Sequence, residues 1–337
     1  MVNVLLASPL AADLVECIAA VDPRVQLSYR PDLLGQPRYP GDHYPPIQRT
    51  AAQSAEWAHL LAEAEVMLDV DQPSAPEIVR LAPRLRWIQS SSSGVGEWIR
   101  RLKLVETQVV VTNAAGMHAR PLGEYAVFAM LYFARRWPRM VAEQRAHHWE
   151  RCAIDTLEHK TVGIIGLGQV GQMVARLARP FGMRTVGIRR SGVAVDGVDQ
   201  VYPATDLTHV LNQSDYLVLS VPATAETTGM IGARELALLK PGAVLVNIAR
   251  GSIVDEAALI DALQHGQLGG AALDVVSREP LPADSPLWDM PNVLITPHSM
   301  STAVSENQWL TDLFCDNLRR YLHAEPLRNE VDKMRGY

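Results

Sequence analysis

The sequence predicts an α/β protein of two domains, each built on a parallel sheet. Three observations lead there. The chain has 337 residues, enough for two ordinary domains. Short apolar runs alternate with segments whose apolar residues recur at helical spacing. Between 161 and 297 the apolar runs are nearly continuous, as a parallel sheet buried on both faces requires.

In the first hundred or so residues, "VNVLLAS" (2–8), "VQLSY" (25–29), "VMLDV" (66–70), "LRWIQSS" (85–91) and "VVVTN" (109–113) read as strands. "LAADLVECIAAV" and "AEWAHLLAEA" between them read as helices. Residues 31–46, "PDLLGQPRYPGDHYPP", hold five prolines, two glycines and two tyrosines, so they form a loop. A loop of that length is either a functional lid or contact surface, or a surface insertion with no role. A strongly apolar helix begins at Pro121, a residue suited to a first turn, and Pro138 marks a break or kink. A domain junction falls here. A second series of strands follows: "TVGIIG", "RTVGI", "DYLVLSVP", "AVLVNIA", "GAALDVV" and "VLITP". The tail from 301 to 324 reads as one more amphipathic helix.

Composition excludes several classes of function. Hydrophobic residues make up 48% and charged residues 20%, with a net charge of −6, so no basic stripe for nucleic acid is expected. The three cysteines, Cys17, Cys152 and Cys315, lie far apart, with no CxxC pair and no metal-ligand spacing. Such sparse cysteine suits a reducing compartment. No basic region precedes the first apolar run, and no apolar stretch approaches the ~18 residues that span a bilayer. The expectation is a cytoplasmic protein with no membrane or metal partner.

The segment "TVGIIGLGQVG" carries the first chemistry. Gly166, Gly168 and Gly171 form G-x-G-x-x-G between a strand and the helical run that Gln169 and Val170 begin. The first glycine permits the tight turn, the second lets a pyrophosphate approach the backbone, and the third lets helix and strand pack closely. The free N–H groups of the helix N-terminus receive the anion. This predicts a doubly wound, Rossmann-type dinucleotide domain. Such domains expect an acid at the end of the next strand, where it binds the ribose hydroxyls. Here that strand ends at Ile188 and the chain continues "RRSG". Arg189, Arg190 and Ser191 can instead pair with a 2′-phosphate, so NADP(H) is preferred and NAD(H) remains possible. The alternative is that both arginines are solvated surface charges.

Farther along, Arg250 in "NIARGS", Asp274 and Glu279 in "LDVVSREPLP", and His298 in "ITPHSMST" follow strands. Ligands of open α/β sheets bind at the carboxyl ends of strands, so these segments point to one crevice.

With these pieces in order and spacing, the sequence resembles the D-isomer-specific 2-hydroxyacid dehydrogenases. "TVGIIGLGQVG", "LLKPGAVLVNIARGSIVDEAALIDAL", "AALDVVSREPLP" and "PNVLITPH" carry the resemblance, and "WIQSSSSGVGEW" and "VTNAAGMHARPLGEYAV" extend it more loosely. It implies a flavodoxin-like α/β substrate domain, residues 1–112 plus 298–337, into which the Rossmann-type domain, 113–297, is inserted. It implies that Arg250 grips a 2-keto acid carboxylate, that His298 is the acid–base residue and that Glu279 holds its imidazole. Asp274 would contact the nicotinamide carboxamide, with a helix cap as the alternative. Ser93, Gly94 and Val95 would meet the substrate carboxylate through backbone N–H groups. Val221, Pro222 and Thr227 would line the cofactor groove.

The implied activity is NADPH-dependent reduction of glyoxylate- or hydroxypyruvate-like acids by a homodimer, with closure of the two domains around the cleft. An NAD-dependent oxidative dehydrogenase and a dinucleotide-sensing corepressor-like protein are the alternatives. Glu279 speaks against formate dehydrogenase, whose relatives carry glutamine there. His118 and Arg120 could approach the substrate, while His147, His148 and Trp288 read as packing or surface residues. "HSMS" lacks the small-residue pair that often follows the histidine in this family, which bears on the substrate.

Overall fold

The computed structural model describes residues 1–336; Tyr337, the last residue of the expected substrate domain, lies outside them. The chain divides into two compact units, Met1–His118 with the segment from Thr302 onward, and Ala119–Ser301. The crossing points lie a few residues beyond 112 and 297. Asn113 stays with the first unit because it pairs with Asn329 through backbone and side chain. Ser299 and Met300 stay with the second because their N–H groups bond Asp274.

The first unit carries strands β1 (Val2–Leu6), β2 (Val25–Ser28), β3 (Val66–Leu68), β4 (Trp87–Gln89) and β5 (Val110–Thr112). All are parallel, in the order β2-β1-β3-β4-β5, the flavodoxin-like arrangement. Its helices are α1 (Ala12–Ala19), α2 (Ala51–Glu63), α3 (Ile78–Leu81) and α4 (Gly96–Arg101). Successive strand residues face opposite sides. Leu5, Met67 and Ile88 pack with Trp57, Leu61 and Ile78 on one face. Val4, Leu6, Val66, Leu68 and Trp87 pack with Ile18, Phe314 and Leu318 on the other. Trp87 is fully buried and gives its indole N–H to Thr112 Oγ1 at 2.8 Å. The helix expected around 55–64 begins at Ala51, where Thr50 and Gln53 form a reciprocal capping box.

The 31–46 segment is a loop apart from one turn of 3-10 helix at Pro31–Leu33. It is tightly tied down. Asp42 and His43 are buried, His43 Nδ1 lies 2.7 Å from Ser8 Oγ, and Tyr44 donates to Asp69 Oδ1 at 2.9 Å.

The second unit opens with α5 (Ala119–Ala134) and α6 (Trp137–Arg145). The interruption falls before Pro138, at Arg136, whose φ is +51°; the proline sits in the first turn of α6, where a missing N–H costs nothing. Then follow β6 (Thr161–Ile165), α7 (Gln169–Ala178), β7 (Arg184–Ile188), β8 (Gln200–Tyr202), α8 (Leu207–Leu211) and β9 (Tyr216–Leu219). After them come α9 (Ala233–Ala237), β10 (Ala243–Asn247), α10 (Glu256–Gln264), β11 (Leu268–Leu273) and β12 (Val293–Ile295). The helix α11 (Glu306–Leu322) belongs to the first unit.

The seven strands are parallel, in the order β12-β11-β10-β9-β6-β7-β8. Counted from β6 this is 7-6-5-4-1-2-3, the doubly wound Rossmann order with one strand added. Val162, Ile164, Val218 and Val246 face one apolar layer, and Ile165, Leu217, Leu219 and Leu245 face the other. Strand β8 was not foreseen in the sequence; it is a three-residue edge strand, too short for a periodic signal. Among the described residues no helix is long and apolar enough to cross a membrane.

Candidate functional site

The glycine loop stands at the carboxyl end of β6. Gly166 has φ +101°, and a Cβ there would lie 2.7 Å from Val221 Cγ1 and 2.9 Å from the Ser220 backbone. Only glycine fits that turn. A Cβ on Gly171 would fall 2.0 Å from Gly166 O, so α7 starts directly against the loop. On Gly168 it would meet nothing within 4 Å, leaving this side of the loop open. Gly168 is also the N-cap of α7 and offers no side chain to its orphan N–H groups. Gln169, Val170 and Gly171 therefore present uncapped donors at the positive end of a helix. This cradle fits the pyrophosphate of a dinucleotide.

Ser220, which sequence reasoning passed over, pins the loop by donating to Gly166 O at 2.7 Å. The signal available was its place between the β9 run and Val221. Pro222 and Thr227 belong to one turn: Thr227 Oγ1 donates to Pro222 O at 2.7 Å and accepts from Thr224 N at 2.8 Å.

Arg189, Arg190 and Ser191 follow β7 and are all exposed. The nearest acids do not stand in for the missing carboxylate. Asp199 is tied to Thr185 N and Oγ1, at 2.7 and 3.0 Å, at the other end of β7. The Glu226 carboxyl is held below its usual range, chiefly by the Thr224 hydroxyl and to a smaller degree by the charge of Arg190.

The β10, β11 and β12 ends meet one another. Asn247, at the end of β10, accepts from Ala249 N and donates to Arg250 O, which shapes the turn that presents Arg250. The Arg250 guanidinium donates to Ala249 O at 2.7 Å. A Cβ on Gly251 would lie 1.9 Å from Val276 O, so the Arg250 turn abuts the loop that leads to Glu279. Asp274 is 3% exposed. Its Oδ1 lies 2.8 Å from Thr296 Oγ1 and accepts from Ser299 N at 3.0 Å, and both its oxygens lie 3.3 Å from Met300 N. Its carbonyl accepts from His298 N at 2.8 Å. Asp274 thus clamps the turn that carries His298, itself at φ +51°.

His298 Nδ1 lies 2.8 Å from Glu279 Oε2, and the two side chains are 41% and 39% exposed. A carboxylate only accepts, so Nδ1 carries a proton and Nε2 is the ring's outward nitrogen. Tyr125, 3.1 Å from Thr296, has its hydroxyl pushed up to about 12, mainly by burial.

In the first unit, Ser93 is half-buried, Gly94 exposed and Val95 buried as the N-cap of α4. Ser93 Oγ lies 2.8 Å from His118 Nδ1, and Asn113 Nδ2 donates to Ser93 O at 2.9 Å. Arg120 is exposed and paired with Glu124. His147 and His148 lie at the surface after α6, and Trp288 is 52% exposed with its indole bonded to Pro282 O. Glu143, His148 and Glu150 come close enough together to hold a cation, but Arg139 bonds both carboxylates and already supplies the countercharge.

A family model described as "D-isomer specific 2-hydroxyacid dehydrogenase, NAD binding domain" matches residues 127–299. The glyoxylate reductase of Thermococcus gammatolerans is 37% identical over 272 residues, covering 76% of this chain and 79% of that protein. The D-isomer specific 2-hydroxyacid dehydrogenase of Xanthobacter autotrophicus Py2, solved with NADPH and MES, aligns with a TM-score of 0.81 and 29% identity over 99% of each chain. The NADPH-dependent glyoxylate/hydroxypyruvate reductase of Sinorhizobium meliloti, solved with NADP and sulfate, aligns with a TM-score of 0.81 and 27% identity over 100% of each chain.

Proposed function

The chain belongs to the D-isomer-specific 2-hydroxyacid dehydrogenases, which are NAD(P)-dependent oxidoreductases, and on that premise we propose that it reduces small 2-keto acids with NADPH. The acids are of the glyoxylate or hydroxypyruvate kind, and the products are 2-hydroxy acids, of D configuration wherever reduction creates a stereocentre. The observation that carries the reading is the contact of 2.8 Å between His298 Nδ1 and Glu279 Oε2.

Reduction of a ketone builds negative charge on its oxygen, so a proton donor must stand beside it. Glu279 takes the Nδ1 proton in a hydrogen bond, fixes the ring and stabilises the imidazolium. Nε2 then gives its proton to the carbonyl oxygen. Arg250 grips the substrate carboxylate with its planar fork. The backbone N–H groups of Ser93, Gly94 and Val95 give that carboxylate a second hold. Bound NADPH supplies the hydride.

The loop from Gly166 to Gly171 would hold its pyrophosphate, Arg189, Arg190 and Ser191 its 2′-phosphate, and Val221, Pro222 and Thr227 its flank. Asp274, which braces the His298 turn, would meet its carboxamide. The NADP complexes of the Xanthobacter and Sinorhizobium proteins support the cofactor choice. Two copies pair through the second unit, a reading supported by exposed Phe128, Trp137 and Trp149. Three free cysteines support a cytoplasmic setting.

The test is steady-state turnover of a panel of 2-keto acids with NADPH and with NADH. NADPH-linked reduction of glyoxylate or hydroxypyruvate supports the reading. A clear preference for NADH in the oxidative direction favours an NAD-linked dehydrogenase. No turnover together with tight dinucleotide binding favours a sensor.

A further inference from the structure

The 31–46 segment and the start of α11 hold a cluster that the reaction above does not use. Glu306 is the first residue of α11, and its side chain is 6% exposed. Its Oε1 lies 3.4 Å from His118 Nε2 and 3.6 Å from His43 Nε2, the second distance that of an ion pair rather than a hydrogen bond. Its Oε2 is buried without a hydrogen-bond partner among the described residues, and Gly41 roofs it: a Cβ there would lie 3.2 Å from that oxygen. The far side of each histidine is also engaged. His43 Nδ1 reaches Ser8 Oγ, just past β1, at 2.7 Å. His118 Nδ1 reaches Ser93 Oγ, past β4, at 2.8 Å.

Ser93 Oγ lies 3.0 Å from Ala114 O and 2.8 Å from His118 Nδ1, so one hydroxyl joins the loop backbone to the imidazole. Glu306 faces the opposite nitrogen of the same ring and fixes its rotation. Ser93 is thereby set by a carboxylate 213 residues away in sequence, through one imidazole.

We propose that Glu306 is a positioning residue for substrate binding: through His118 it fixes Ser93 and the loop that receives the 2-keto acid carboxylate, and the 31–46 segment, through Gly41 and His43, seals and orients Glu306. This rests on the reading that Ser93–Val95 bind substrate. It gives the proline-rich segment a role, since it closes over a carboxylate that holds the substrate loop. A buried network of this kind acts through its full set of partners, so loss of one member is felt at the others.

The test is kinetic and uses the whole enzyme. Glu306→Gln keeps the shape and removes the charge. The expected result is a rise of about tenfold in the glyoxylate KM, with kcat and the NADPH KM within about twofold of wild type, since the loss is one of substrate binding. A loosened fold would move the NADPH KM as well. In a Ser93→Ala background the same substitution should add less than about twofold, because the atom it acts on is gone. His118→Gln enters the same cycle if Glu306→Gln does not fold. An unchanged glyoxylate KM, or additive effects in the cycle, overturns the proposal. Absence of any 2-keto acid turnover by the wild type defeats the reaction reading itself, and is seen before a variant is compared.

Discussion

Of the carboxylates that stand beside histidine, Glu279 in the second unit and Glu306 in the first differ most instructively. Glu279 and His298 touch at 2.8 Å, with about 40% of each side chain open to solvent. Glu306 sits at 3.4 and 3.6 Å from two histidines, and all three side chains are nearly sealed. An exposed imidazole with one nitrogen held and the other outward can pass a proton to a reacting atom. His118 has both nitrogens taken, by Ser93 and by Glu306, so neither is left to face a substrate carbonyl directly. Burial pushes the Glu306 carboxyl up, yet the two histidines outweigh it and hold it below the ordinary carboxylate range. The same pair of residue types is therefore open to solvent in one place and sealed in the other, and the proposed roles, proton transfer and positioning, follow that difference.

Substitutions test that contrast. The largest effect belongs to His298→Ala, which should lower kcat/KM for glyoxylate by about 10²–10⁴-fold while the protein stays folded by circular dichroism. Retained activity would remove His298 from the chemistry. Glu279→Gln should follow, lowering kcat by about 10–100-fold through a misheld ring. Its cost in stability should stay within about 0.5 kcal/mol, because the pair is exposed.

The cofactor end gives a control outside both pairs. Arg189→Ala with Arg190→Ala should raise the NADPH KM about tenfold or more and leave the NADH KM unchanged, read by varying each cofactor at saturating substrate. The last effect is thermodynamic and involves no turnover. The lowered Glu306 carboxyl contributes stability above the usual carboxylate value of 4.5, and this contribution is lost as pH falls through its folded value. Glu306→Gln should therefore cost about 1–2 kcal/mol in urea unfolding at pH 7. The gap to wild type should close below pH 4.5. An equal gap at both pH values would mean that the charge of Glu306 has no part in it.

Much of the second unit was legible because its signals are local. The spacing of glycines 166, 168 and 171 falls within one strand–turn–helix unit, where Gly171 packs on Gly166 O, and unbroken apolar runs announce strands buried on both faces. Family resemblance across 160–298 then implied a doubly wound, Rossmann-type domain, which periodicity alone does not give. The first unit was legible as a sheet, yet less so as a site. The sequence marked 31–46 as an irregular loop and left its purpose open, since nothing in a run of prolines states where the run folds back. Ser220 and Asn247 were missed because a serine or asparagine at a strand end resembles any other. Asp274 was weighed as a cofactor contact or a helix cap, while its bonds to the 296–300 turn depend on β11 and β12 lying side by side.

The sequence by itself determined two parallel sheets, a dinucleotide loop of the Rossmann kind and two positive charges where that loop's partner strand ends. The loop and the charges lie within about thirty consecutive residues and each strand within fewer, so short-range sterics and burial suffice to read them. Only the tertiary structure decided which carboxylate meets which histidine. His118 and Glu306 are 188 positions apart, and His43 lies farther still. Such pairs form because α11, which follows the whole second unit in sequence, packs back on the first sheet. No local pattern records that return, because the contact is set by packing of Phe314 and Leu318 on the β1 and β3 face rather than by the paired residues themselves.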